Sequence, residues 1–192
     1  MPRKRRSYDA VVRAVERALS AARVDHVFVG GIAVIVFGRL RTTEDVDVLV
    51  AFREADVPKL LSELRRRGFQ SSEQDLRAAL SEGEHCTVDD TRSEYRIDLS
   101  SAATASARHA LRYRVTVRSR GVDLPIARPE HMVVMKLKFG SEQDIEDAVA
   151  IYLRQKDRMD VKLLTGFAGR QGMLSALESL KRRAKELERT QR

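Results

Sequence analysis

Residues 29–50 read Val-Gly-Gly-Ile-Ala-Val-Ile-Val-Phe-Gly-Arg-Leu-Arg-Thr-Thr-Glu-Asp-Val-Asp-Val-Leu-Val, and no other stretch constrains the fold as tightly. From Asp45 onward acids alternate with apolar residues, the period of a β-strand. Residues two apart on a strand share a face, so Asp45 and Asp47 point together while Val46, Val48 and Val50 enter a core. Upstream, Gly30-Gly31 ends a short apolar strand at residues 26–29. The following run, 32–37, is apolar on all sides and fits a buried helix or another strand; after a glycine turn a helix is expected. Strand, glycine turn, buried helix and strand together begin an α/β domain.

Two neighbouring carboxylates repel each other unless something positive lies between them. A hard divalent cation such as Mg²⁺ is the natural partner, because it takes one or two carboxylates together with phosphate oxygens. The alternative is a charged strand end facing solvent. Gly30-Gly31 bears on the choice. A turn without side chains lets backbone N–H groups approach a phosphate, and a helix N-terminus favours negative charge. Alone, such a turn is as often structural. Its weight comes from lying beside the acid pair, since both segments would leave neighbouring strands.

The rest of the chain supplies the scaffold. Residues 8–23 form a helical stripe through Val11, Val12, Val15, Leu19 and Ala22. A helix is expected over 55–67, stopped by Gly68, then a polar stretch and two strands over 84–88 and 94–100. Residues 102–111 suit a short helix, and 112–118 with 122–126 a hairpin turning at Arg120-Gly121. Pro129 opens a helical last third, Ser141-x-x-Asp144 resembles a capping box, and 173–189 makes a final helix. The expected class is α/β (α+β): a mixed central sheet flanked by helices, with a helical C-terminal part. The expected organisation is a basic tail at 1–6, an α/β core at 7–128 and a helical part at 129–192.

Charge sits at the ends. The net charge is +8, yet residues 7–180 hold 26 basic and 26 acidic residues. Arg3, Lys4, Arg5 and Arg6 give one end +4, and residues 181–192 give the other +4. Such ends are compatible with a nucleic-acid partner, and equally with solvated, solubilising tails. The longest apolar runs fall short of the roughly 18 residues of a membrane span. No apolar signal segment follows the basic start, so a soluble, cytoplasmic protein without a membrane partner is expected. The single cysteine, Cys86, excludes an internal disulfide and a multi-cysteine zinc site. His85-Cys86 would point to opposite strand faces and makes no metal pair. No Gly-Lys pair, Gly-x-Gly-x-x-Gly, His-Glu-x-x-His or Gly-x-Ser-x-Gly occurs.

Gly30-Gly31, Gly38 and Arg41-x-Thr43-x-Asp45-x-Asp47 together resemble the signature of the polymerase β-like nucleotidyltransferase superfamily, nearest its minimal, AbiEii-like (toxin-type) branch. The likeness is specific over residues 29–50 and looser to about residue 164. It implies a nucleotidyltransferase fold and Mg²⁺-dependent transfer of a nucleoside monophosphate from an NTP to an acceptor. Two Mg²⁺ ions would be held by Asp45, Asp47 and a third acid on a neighbouring strand. Asp98, on the outward face of the alternating 95–100 segment, is the candidate, with Asp89 or Asp90 as alternatives. The resemblance puts Gly30, Gly31, Arg41, Thr43 and Lys136 at the nucleotide; Lys136 could equally be snorkelling from apolar company. Asp144 and Asp147 match the acidic helix that follows the lysine, although capping accounts for Asp144 without function. The acceptor is RNA, a protein hydroxyl or a small molecule, the basic ends favouring RNA. A catalytically silent nucleic-acid- or partner-binding protein on the same fold is the other class.

Overall fold

A stripe of apolar residues at helical spacing makes α1 (Tyr8–Ala22), with Val11, Val15, Ala18 and Leu19 fully buried. The computed structural model describes residues 5–51, 53–83 and 85–190. Arg3 and Lys4 of the basic N-terminal end lie outside the described residues. The chain divides into two units, one of Met1–Gly31 with Thr42–Ile126, the other of Ile32–Arg41 with Ala127–Arg192.

The first unit carries a seven-stranded sheet. After α1 come β1 (Asp25–Phe28) and α2 (Gly30–Phe37), which starts at the two glycines and continues into the second unit. Then follow β2 (Asp45–Ala51), a 3-10 turn (Glu54–Asp56), α3 (Val57–Arg66), β3 (Phe69–Gln70) and α4 (Glu73–Glu82). The unit ends with β4 (His85–Asp90), β5 (Arg96–Ser101), α5 (Ala105–Arg112), β6 (Val115–Ser119) and β7 (Val122–Ile126). Strand order is β3-β4-β5-β2-β1-β7-β6. The β2–β5 and β1–β7 pairs are parallel and the others antiparallel, so the sheet is mixed as expected.

Register sets one apolar row of the core on the face opposite the acids. Val46 lies opposite Ile97, Val48 opposite Leu99 and Phe28 opposite Val48, all at most 1% exposed. His26 Nε2 and Glu16 Oε2, 2.6 Å apart, tie β1 to α1 inside that core. The hairpin turns at Arg120 (φ 45°) and Gly121 (φ 83°), two left-handed residues whose twist suits the flanking strands.

Two elements go beyond the sequence expectation in this unit. The polar stretch after Gly68 contains β3 and α4, the latter capped by Ser72 Oγ accepting from the Asp75 amide at 2.9 Å.

The second unit is helical: the rest of α2, then α6 (Pro129–Phe139), α7 (Glu142–Gln155), α8 (Val161–Arg170) and α9 (Leu174–Thr190). The capping box forms, with Ser141 Oγ accepting from the Asp144 amide at 3.1 Å. α8 was not foreseen; Asp160 Oδ1 caps it by accepting from the Leu163 amide at 2.9 Å. The basic C-terminal end continues α9 to Thr190, with Ala184 buried and Arg182, Arg183 and Lys185 exposed. Among the described residues no helix is long and apolar enough to cross a membrane.

Candidate active site

Parallel pairing of β2 with β5 sets Asp47 directly opposite Asp98, and Asp45 opposite Arg96. On the far side of β5, β4 brings Thr87 opposite Asp98 and Asp89 opposite Arg96. Two rows therefore cross three strands on the face away from Val46 and Ile97: Thr87, Asp98, Asp47 and, one step along, Asp89, Arg96, Asp45. Neighbouring strands lie about 4.8 Å apart, so Asp47 and Asp98 are side-by-side neighbours on that face.

Each acid has a defined setting. Arg96 Nε donates to Asp45 Oδ1 at 3.2 Å, and the Asp45 side chain is 35% exposed. Thr87 Oγ1 donates to Asp98 Oδ1 at 2.8 Å. The Asp45 carbonyl accepts from Thr43 Oγ1 at 3.2 Å and from the Tyr8 hydroxyl at 3.3 Å, which anchors the start of β2.

Gly30 meets this face closely. Its φ is +58°, and a Cβ there would fall 1.9 Å from Asp47 Oδ2. Only glycine fits, both for its left-handed backbone and for the carboxylate beside it. The Val29 amide donates to the Asp47 carbonyl at 3.0 Å, fixing the turn against β2. Gly31 is the next residue of α2, so the glycine pair forms the first positions of the helix.

Of the alternatives to Asp98, Asp90 is 5% exposed and accepts from Arg6 Nη1 at 3.0 Å and Ser93 Oγ at 2.6 Å. Asp89 is exposed on the same face as Asp98, one row away from Asp47.

Arg41 and Lys136 belong to the second unit, where they surround Asp147. Asp147 is fully buried, with Arg39 Nε 2.9 Å from Oδ1, and Lys136 Nζ 3.3 Å and Arg41 Nη1 3.4 Å from Oδ2. Lys136 Nζ also donates to Asp144 Oδ1 at 2.5 Å. Burial pushes the Asp144 carboxyl up, but the Lys136 and Ser141 donors prevail and hold it below the usual carboxylate value. Among the described residues, Arg41 Nε is buried without a hydrogen-bond partner.

The donor chemistry of Asp45, Asp47 and Asp98 fits Mg²⁺: hard carboxylate oxygens in register, beside a glycine turn that leaves Asp47 Oδ2 room. Among the described residues no group of three acidic, histidine or cysteine side chains is placed closely enough to hold a metal ion. As placed, Asp45 is engaged by Arg96 and Asp98 by Thr87. Arg96 and Thr87 were absent from the sequence reading. Arg96 was recoverable, since it stands two residues before Asp98 and therefore shares its face.

Over residues 9–191 the sequence matches the family described as "Nucleotidyltransferase of unknown function (DUF6036)", and the chain belongs to that family. A comparison with curated proteins finds no match. Solved structures agree on the fold. An antigenic nucleotidyltransferase-like protein from Paracoccidioides brasiliensis is 16% identical with a TM-score of 0.54, covering 90% of each chain. ANT(2")-Ia in complex with adenylyl-2"-tobramycin is 14% identical, TM-score 0.54, covering 85% of this chain and 98% of its own. The lincosamide antibiotic adenylyltransferase LnuA, lincomycin-bound, is 12% identical, TM-score 0.51, covering 77% of this chain and 99% of its own.

Proposed function

We propose that the protein moves a nucleoside monophosphate from an NTP to an acceptor hydroxyl, and that the acceptor is RNA. The observation that carries the reading is the register of Asp47 against Asp98, with Asp45 on the same face and Gly30 fitted against the Asp47 carboxylate. Asp45, Asp47 and Asp98 would hold the two Mg²⁺ ions the resemblance implies; bound there, the metal supplies charge neutralisation and a template for in-line displacement. The backbone amides of Gly30 and Gly31 receive the β- and γ-phosphates at the start of α2. Asp98 accepts the proton of the acceptor hydroxyl, whose oxygen bonds to the α-phosphorus as the bond to the β-phosphate oxygen breaks and pyrophosphate leaves. Thr43 holds the turn through the Asp45 carbonyl. Arg41, with its unpartnered Nε, and Lys136 are assigned to the phosphates by resemblance, while Asp144 and Asp147 pair with them as the acids of the following helix.

A small-molecule acceptor is the competing outcome, since LnuA is an antibiotic adenylyltransferase and ANT(2")-Ia carries an adenylylated antibiotic. The toxin-type role follows the AbiEii-like resemblance and the cytoplasmic setting follows the sequence pattern; both stand with this proposal. One observation favours the silent, partner-binding reading: the Arg96 guanidinium lies where a cation would meet Asp45. The test is incubation with Mg²⁺ and each labelled NTP, with cellular RNA, protein or small acceptors. Label is expected in RNA and should fall by roughly 10²-fold or more in Asp47→Asn. Label in no acceptor, or full transfer by the variant, overturns the reading.

A further inference from the structure

Five arginines from four separate segments of the first unit line one cleft of about 410 Å³: Arg6, Arg17, Arg66, Arg67 and Arg92, with Ala14 at its wall. Like charges gather this way against their own repulsion. Their carboxylate partners are few. Glu63 serves both Arg66 and Arg67, and Asp90 serves Arg6. Among the described residues Arg17 and Arg92 are exposed and make no ion pair, so about three positive charges face the cleft unopposed. One turn before Arg17 on α1, Arg13 Nη1 is buried without a hydrogen-bond partner.

The cleft does not end blindly. Arg6 also lines a second cavity of about 340 Å³, shared with Arg5, Glu44, Ser93, Glu94 and Tyr95. Glu44 and Tyr95 immediately precede Asp45 and Arg96, and the Arg96 amide donates to the Glu44 carbonyl at 3.3 Å. The half-buried Tyr95 ring stands edge-on to Tyr8, centroids 5.4 Å apart. A basic groove followed by an aromatic ring suits a single nucleic-acid strand, whose phosphates repeat and whose bases stack. An acidic peptide would use the charges but has no need of the ring.

We propose that this arginine-lined cleft binds the phosphodiester backbone of a single-stranded RNA and leads its end past Tyr95 toward Asp45. The assignment rests on the reading of RNA as acceptor, and it joins Arg6 of the basic N-terminal end to arginines of the folded surface. Arg17 and Arg92 are exposed and unpaired, so reversing them leaves the core and the ion pairs intact.

The experiment measures fluorescence anisotropy of a labelled single-stranded RNA, without NTP, across a salt series. Arg17→Glu with Arg92→Glu should weaken binding by about tenfold or more and flatten the slope of log K against log salt by about 1.4, some 0.7 per lost contact. Arg182→Glu with Lys185→Glu on α9 serves as the charge-matched control and should change binding far less. Unchanged affinity and slope in the cleft variant overturn the proposal, as does equal weakening by the control. Wild-type protein binding a polyglutamate peptide as tightly as the RNA would also overturn it. Label transfer measured in parallel separates the two readings. RNA held in the cleft without any transfer defeats the enzymatic reading alone, whereas transfer to RNA with intact binding in the cleft variant defeats the cleft alone.

Discussion

Replacing Lys136 by methionine should unfold the protein more readily, before any effect on nucleotide is considered. Lys136 is 8% exposed, and its Nζ lies 2.5 Å from Asp144 Oδ1 and 3.3 Å from Asp147 Oδ2. Methionine keeps most of the apolar stem among Met132, Val133 and Leu137 but removes the charge. Removing one partner of a buried ion pair costs about 3–5 kcal/mol, because the remaining charge is stranded. Asp147 retains Arg39 and Arg41, and Asp144 retains Ser141, so the loss should sit near the lower end, about 3 kcal/mol. For a chain of this size that corresponds to a fall in Tm of roughly 6–12 °C. Urea unfolding followed by circular dichroism gives the free energy. Adding Asp144→Asn to the variant should recover part of the loss, since one of the stranded carboxylates is then gone. A Lys136→Met protein as stable as the wild type that only binds NTP less well would refute the reasoning and leave Lys136 a phosphate ligand alone.

Acid should loosen the same helices. Asp144 titrates lower in the folded chain than in the unfolded one, so its stabilisation is complete above the unfolded value and fades as pH falls through the folded one; Asp144→Asn should flatten the acid limb of a stability-against-pH curve. Gly30→Ala should lower nucleotidyl transfer by about 10²-fold or more through displacement of the Asp47 carboxylate, and equal activity in the two proteins would show that the close approach is unimportant. The Cys86 thiol is buried and pushed up by that burial, so the native protein should resist alkylation at neutral pH while urea-unfolded protein reacts at once; rapid native labelling would contradict the packing of β4.

The acid cluster was legible in the sequence because a strand has a period of two. Asp45-x-Asp47 and Asp98 each declare a face by alternation, whereas the pairing of β2 with β5, which sets Asp98 and not Asp89 or Asp90 opposite Asp47, had to be learned from the structure. The two-residue hairpin at Arg120-Gly121 and the capping box at Ser141 were legible for a similar reason, since each is a local pattern with a local hydrogen bond or dihedral behind it. α4 and α8 were missed because their apolar stripes are thin. Leu76 and Ala79 bury α4, and Leu164, Phe167 and Ala168 bury α8, while the capping residues Ser72 and Asp160 looked like ordinary loop polars.

The cluster around Asp147 was illegible for a different reason. Arg39 and Arg41 precede Asp147 by more than a hundred residues, and no periodicity links an irregular loop to a helix face. In the sequence Asp147 is marked only by resemblance, as a match to the acidic helix that follows Lys136, and nothing there shows that it is fully buried among three cations. On the proposed function that arrangement would bear on nucleotide binding as well as stability. A lysine held at 2.5 Å by one carboxylate and 3.3 Å by another can neutralise a triphosphate only by weakening those contacts. Nucleotide and carboxylates would then compete for the same ammonium. Binding would draw on the contacts between α6 and α7, and that cost is contained in the measured affinity, which sets how far NTP stabilises the protein. The Asp144→Asn variant relieves that competition, and NTP should bind it more tightly than it binds the wild type.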